Sequence, residues 1–237
     1  MKRFFAMLLL AAVFCTLFAG CAVSKRTEET TEIPTAPEPE RERDENGQFV
    51  FDVPEVMNGL YCSPGLDFAN SEDVEGSDYV NCVILSAYAQ DDLAGQIRLA
   101  IKNGNAFWIS TQFLERGIVK DKWGKRYMAI AEDWQSEMDK VVATVRDEGA
   151  FNYFLGFYMD EPLFNRFSVK NIYDFSKYNH DTFGKRYFIC FAVEGIVPSE
   201  YNDGVTNGHM TKKYSTYITD AAYDMYWDFE TYKDKYE

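Results

Sequence analysis

The chain has little histidine, little cysteine and a deficit of positive charge. It holds two His and five Cys among 237 residues, and its formal net charge is −14. Neither His180 nor His209 has a partner at metal-ligand spacing, so the sequence predicts no metal site. No cofactor is predicted either. The chain also lacks a phosphate-cradling glycine loop and a Ser or Cys nucleophile motif. The acidic balance argues against nucleic acid as a partner.

An apolar run occupies Phe4 to Ala19, directly after Lys2 and Arg3. It is too short for a comfortable membrane span and has the pattern of a secretory signal peptide over residues 1–20. Its end, Leu17-Phe18-Ala19-Gly20-Cys21, resembles the lipobox of bacterial lipoproteins, with Phe18 where Leu is usual. The resemblance implies lipidation of Cys21 and an extracytoplasmic protein anchored to a bacterial membrane. The alternative is an ordinary signal peptide cut near Gly20.

Residues 21–48 are predicted to form a disordered tether behind the lipidated cysteine. The stretch is rich in Thr, Glu and Pro and contains no aromatic residue before Phe49. It therefore cannot bury enough apolar surface to offset its conformational entropy. Residues 49–237 are left as one folded domain by length.

This domain alternates short apolar runs with amphipathic helical patterns, which predicts a parallel sheet with helices packed on it. We expect an α/β fold of the (β/α) TIM-barrel type, because polar or acidic residues follow several strands. An open doubly wound sheet is the alternative. Only about six of eight barrel strands are found, so the barrel is expected to be incomplete or C-terminally truncated. The predicted strands cover residues 59–62, 79–85, 106–109, 154–159, 186–193 and 221–226, and residues 113–127 are predicted as a loop.

The fourth predicted strand ends in two adjacent carboxylates and a proline, Asp160-Glu161-Pro162. This strand end resembles the Asn-Glu-Pro motif of the retaining barrel glycoside hydrolases that include many cellulases and β-galactosidases. The resemblance covers short patches and implies that Glu161 is the acid/base, with Asp160 at the Asn position. A second patch, 223–226, is similar to the Asp-x-Tyr strand end of barrel hydrolase-like lipoproteins of gut bacteria.

Glycoside hydrolysis requires one carboxyl to protonate the leaving oxygen and another to attack the sugar or activate water. Glu161 and Asp160 are the expected catalytic residues, and burial beside a like charge would favour the acid form near neutrality. The nucleophile that this clan carries on strand seven is not found, so Glu194, Asp228 and Glu230 remain candidates for the second carboxylate. The expected substrate-binding residues lie near predicted strand ends: Tyr61, Tyr88, Trp108, Gln112, Tyr158, Glu194, Asp224, Tyr226 and Trp227.

Three functions remain open from the sequence. The leading prediction is a membrane-anchored glycoside hydrolase-like protein that acts on oligo- or polysaccharide. The second is a non-catalytic carbohydrate-binding surface lipoprotein, and the third is a solute-binding lipoprotein of a transporter. Against the catalytic interpretation of Asp160-Glu161-Pro162 stands the simpler one, in which these residues form a solvated turn.

Overall fold

Six parallel strands form the central sheet, and three helices connect them. The computed structural model describes residues 41–55, 57, 59–61, 80–88, 92–163, 165–192 and 210–224, with the backbone alone at 59–61, 192, 223 and 224. The strands are β1 Gly59–Tyr61, β2 Cys82–Leu85, β3 Ala106–Ser110, β4 Glu115–Lys120, β5 Arg126–Ile130, β6 Phe154–Asp160, β7 Arg186–Ala192 and β8 Asp220–Asp224. The helices are α1 Leu93–Asn103, α2 Trp134–Asp147 and α3 Val169–Phe183.

Strand order in the large sheet follows chain order, β1-β2-β3-β6-β7-β8, and every neighbouring pair is parallel. The order does not reverse, as it would in a doubly wound sheet. Because parallel connections are right-handed, an order that advances in one direction places successive helices on the same face. The predicted α/β class with a parallel sheet is confirmed. In the described residues β1 and β8 do not pair with each other, so no closed barrel is formed there.

The helix boundaries follow from their capping residues. Asp92 accepts a hydrogen bond from the Gly95 amide at 2.8 Å and begins α1, and Gly104 ends it at φ 72°. Ser168 begins α3 in a capping box with Asn171. These side chains satisfy amides that have no partner within the helix, which is why Asp and Ser are favoured at a helix start.

Both faces of the sheet are apolar, but they differ in what covers them. The helix-covered face carries Val83, Leu85, Phe107, Ile109, Phe154, Phe157, Met159, Tyr187, Ile189 and Phe191, packed in one core with the apolar sides of all three helices. The opposite face, called the inner face below, carries Cys82, Ile84, Ala106, Trp108, Leu155 and Tyr158, with Phe188 and Cys190 against them. Two buried faces explain why these strands read as continuous apolar runs rather than as alternating ones.

A bulge at Gly156 changes which face the end of β6 presents. The pairing of β3 with β6 shifts register between Phe107 and Trp108, whose partners are Phe154 and Gly156. Gly156 has φ 145°, and a Cβ there would lie 1.8 Å from the Arg186 carbonyl oxygen. The extra residue reverses the alternation, so that Tyr158 and then Asp160 fall on the inner face instead of under the helices.

The segment expected to be a loop over 113–127 is instead a 3₁₀ turn, Thr111–Leu114, followed by an antiparallel hairpin of β4 and β5. Its charged tip concealed the strand signal. Val119 pairs with Tyr127, and Ile118 pairs with Met128. Met128 reaches the core, and its amide donates to the Arg166 carbonyl at 3.0 Å. The prediction of a loop is therefore wrong for this segment.

The folded unit begins before residue 49. Arg41 donates to the Lys102 carbonyl at 3.0 Å and to the Tyr153 hydroxyl at 3.1 Å. Asp44 accepts from the Asn152 amide at 3.1 Å, and the Phe49 amide donates to Gly149. Composition made residues 41–48 resemble the tether, because their contacts are polar and give no hydrophobic signal.

Replacing Gly156 with Ala should destabilise the fold by about 3 kcal/mol or more, because the new methyl group meets the β7 backbone and φ is unfavourable for an L-residue. Gly184→Ala is the matched control, since φ is 64° there but no atom lies within 4 Å. We expect the control to cost about 1 kcal/mol. Urea unfolding of both variants measures the difference, and equal losses would refute the proposed clash.

Candidate functional site

Three acidic residues follow the ends of β3 and β6 in the chain, at the carboxyl edge of the sheet. Asp160 is the last residue of β6, and Glu161 follows it. Glu115 follows the 3₁₀ turn that leaves β3. Since β3 and β6 are paired in parallel, their ends meet at one edge. We call Glu115, Asp160 and Glu161 the acid cluster.

The side chain of Asp160 is held by the residue two positions before it on the same face. The Tyr158 hydroxyl donates to Asp160 Oδ1 at 2.6 Å. The Asn165 side-chain amide donates to the Asp160 carbonyl at 3.2 Å, which fixes the turn after the strand. Tyr158, expected to bind substrate, is 4% exposed and packs on Phe188 at 5.0 Å between ring centroids. Tyr158 is therefore positioned to orient the Asp160 carboxylate.

Glu161 is buried at 7% exposure and has φ 40°, in the left-handed region. Its amide donates to the Cys190 carbonyl of β7 at 2.8 Å, and its carbonyl accepts from the Asn165 amide at 2.8 Å. These two bonds hold a conformation that a non-glycine residue seldom adopts. Such backbone strain is concentrated at functional sites in proteins.

Glu115 is the site residue that the sequence analysis missed. Burial, and secondly the charge of Asp160, raise the pKa of Glu115 to about 7. The residue was assigned to a loop, and its neighbour on β6 lies 45 positions later in the chain. A sequence signal was nevertheless present, since Glu115 directly follows the apolar pair Phe113-Leu114.

The remaining predicted residues are spread more widely. Trp108 is 4% exposed on the inner face, 5.4 Å from the Phe188 ring centroid. Gln112 is half-buried in the 3₁₀ turn beside the acid cluster, and Tyr88 is half-buried after β2. Tyr61 and Asp224 end β1 and β8, on opposite margins of the sheet. Cys21, Glu194, Tyr226, Trp227, Asp228 and Glu230 lie outside the described residues.

A cavity of about 370 Å³ lies on the inner face. Its walls come mainly from the first halves of the strands, so it opens nearer the amino edge than the acid cluster does. Arg186 forms an ion pair with Asp220 at its rim and lies 5.4 Å from the Trp108 ring. The lining also includes Met57, Cys82, Ile84, Phe188 and Ala222.

Comparison of the sequence with models of protein families and with curated proteins finds no match to either. Across the described ranges, no helix is long and apolar enough to cross a membrane. No group of three or more His, Cys, Asp or Glu in that same part of the chain is arranged to hold a metal ion.

The raised pKa of Glu115 predicts that stability falls as pH rises. The folded state keeps the proton up to about pH 7, whereas the unfolded chain loses it near its ordinary value of 4.5. The free energy of unfolding should therefore decrease between these pH values and then level off. With allowance for solvent screening of this partly exposed group, the decrease is about 1–2 kcal/mol.

Glu115→Gln should abolish the part of the pH-dependent decrease in unfolding free energy that Glu115 causes, because the amide does not titrate. Urea unfolding at pH 5 and pH 8 measures it, and Glu132→Gln, at an exposed acid, is the matched control. An identical pH dependence in the wild type and in Glu115→Gln would show that Glu115 keeps an ordinary pKa.

Proposed function

We propose that this protein is a glycoside hydrolase-like protein that acts on oligo- or polysaccharide through the acid cluster. The observation that carries the proposal is Glu115 beside Asp160 at the carboxyl edge, with its pKa raised to about 7. A carboxyl that keeps its proton near neutral pH can protonate a leaving glycosidic oxygen. A second carboxylate at the same edge supplies the group that attacks the sugar or activates water.

A barrel of the (β/α) type is the architecture proposed for this site. Support comes from the strand order, from three helices on one face and from the apolar inner face. In such barrels the active site is built at the carboxyl ends of the strands. Asp160 and Glu161 occupy that position on β6.

Two carboxyls compete for the role of acid. The resemblance of Asp160-Glu161-Pro162 to the Asn-Glu-Pro motif assigns acid/base catalysis to Glu161, and the strained backbone of this residue agrees with a functional role. The pKa of Glu115 favours Glu115 as the proton donor. In either case Tyr158 orients Asp160, whose charge helps to keep the proton on Glu115.

Carbohydrate binding without hydrolysis is the second candidate, and the inner-face cavity favours it. Its apolar walls and its Arg186–Asp220 pair form a concave site with few polar groups, as is usual for small ligands. The cavity lies away from the acid cluster, so a ligand there would meet no catalytic carboxyl.

Anchoring to the outer side of a bacterial membrane through Cys21 completes the proposal. It rests on the lipobox-like sequence and on the signal-peptide pattern of residues 1–20. Mass spectrometry of the protein isolated from membranes tests this anchoring, since diacylation increases the mass of the N-terminal cysteine.

Glu161→Gln should lower turnover of an unactivated glycoside by at least about a hundredfold, because the amide can neither donate nor accept the transferred proton. Release of reducing ends from a glycan panel measures this loss. If Glu161 is the acid/base, the first release of dinitrophenol from a dinitrophenyl glycoside, whose leaving group needs no proton, should be retained. Glu132→Gln is the control for loss of a carboxyl.

The variant Glu115→Gln shows whether Glu115 or Glu161 is the proton donor. If Glu115 is the donor, this variant loses the decline in activity above pH 7, together with most of its activity on unactivated substrates. Turnover equal to that of the wild type in both Glu161→Gln and Glu115→Gln would overturn the hydrolase proposal. Saturable glycan binding by calorimetry without product would favour the binding protein instead.

A further inference from the structure

The hairpin of β4 and β5 is basic in an acidic protein. Residues 115–130 contain five cations and two acids, whereas the whole chain has 24 Lys and Arg against 38 Asp and Glu. Four of the cations, Lys120, Lys122, Lys125 and Arg126, lie at its outer end and are exposed. Within the described residues none of the four forms an ion pair with a carboxylate. This end of the hairpin is therefore a local positive surface.

The hairpin also exposes apolar and aromatic side chains, with Trp123 at its tip and Ile118 and Tyr127 along its strands. Trp123 is 77% exposed, Ile118 is 47% exposed and Tyr127 is 42% exposed. The ammonium of Lys122 lies 4.2 Å from the Trp123 ring centroid, so it covers one ring face and leaves the other open. Contiguous exposed apolar surface that is rimmed by polar residues is typical of interaction sites.

The tip is held rigid by its own backbone and by one carboxylate. Asp121 pairs its amide with the Lys125 carbonyl at 2.8 Å, and its Oδ1 accepts from the amides of Trp123 and Lys125 at 2.8 and 2.9 Å. Gly124 supplies the turn at φ 83°. At the base, buried Met128 anchors the hairpin in the core. A preorganised tip loses little entropy on binding.

The hairpin begins at Glu115, so a ligand that lies along it leads to the acid cluster. We propose that the hairpin tip binds an anionic polysaccharide, with Trp123 stacked on a sugar ring and the lysines paired with its carboxylate or sulfate groups. This inference rests on the proposed function and names its substrate class. Charge complementarity selects an anionic chain, and the open flat indole face selects a ring-shaped repeating unit.

Calorimetric titration of the full chain with oligogalacturonide and with chondroitin sulfate tests the proposal, with neutral dextran as the comparison. At least one acidic glycan should bind, and dextran should bind at least tenfold more weakly. Trp123→Ala keeps every charge and should weaken acidic-glycan binding about tenfold. Because Trp123 lies at an exposed tip, this variant should fold, and circular dichroism checks that.

A matched pair of double variants isolates the contribution of the positive charge at the hairpin tip to glycan binding. Lys120→Gln with Lys122→Gln should weaken binding roughly fivefold and reduce its salt dependence. Lys212→Gln with Lys213→Gln removes the same charge from another exposed segment and should change affinity less than twofold. Equal losses in both pairs, or an unchanged affinity in Trp123→Ala, would overturn the proposal.

Two further measurements separate this inference from its alternatives. Binding to vesicles of equimolar phosphatidylcholine and phosphatidylglycerol that Trp123→Ala weakens, with no binding to either acidic glycan, would assign the tip to a membrane and overturn the proposal. Glu132→Gln, at an exposed acid outside the acid cluster, should bind acidic glycan as the wild type does. Binding without cleavage supports the hairpin and contradicts the hydrolase, whereas cleavage of neutral glycans unaffected by Trp123→Ala supports the hydrolase and contradicts the hairpin.

Discussion

The close approach of Gly156 to the backbone of Arg186 is the constraint on which the candidate site depends. No side chain larger than hydrogen fits there, since a Cβ would lie 1.8 Å from a carbonyl oxygen. The bulge that this glycine permits adds one residue to β6 and reverses its alternation. Phe157 and Met159 then complete the helix-covered core, while Tyr158 and Asp160 face inward. Without the bulge, Asp160 would point under the helices.

The parallel sheet also explains why the pKa of Glu115 is raised. Parallel pairing of β3 with β6 brings two chain segments to one edge, and the 3₁₀ turn after β3 directs Glu115 towards Asp160. Burial removes water from the Glu115 carboxyl, and the nearby negative charge makes ionisation harder still. An ordinary acid thus becomes a group that can hold a proton near neutrality.

The local elements could be predicted from the sequence because their causes are local. Asp92 and Gly104 bound α1, Ser168 caps α3, and the apolar run before Asp160 forms a strand buried on both faces. The hairpin was missed because its strands are mostly exposed, with cations where a buried strand would have apolar residues. The packing of residues 41–48 was missed because arginine and asparagine contacts leave no hydrophobic pattern.

The sequence by itself determined the α/β class, most of the helix and strand positions, and the presence of two acids at the end of one buried strand. Only the tertiary structure decided that strand order follows chain order, that the inner face holds a cavity, and that Glu115 lies beside Asp160. The physical reason is the separation along the chain of the residues that interact. Capping and periodicity act within a few residues, whereas strand neighbours, desolvation and charge coupling depend on residues distant in the chain.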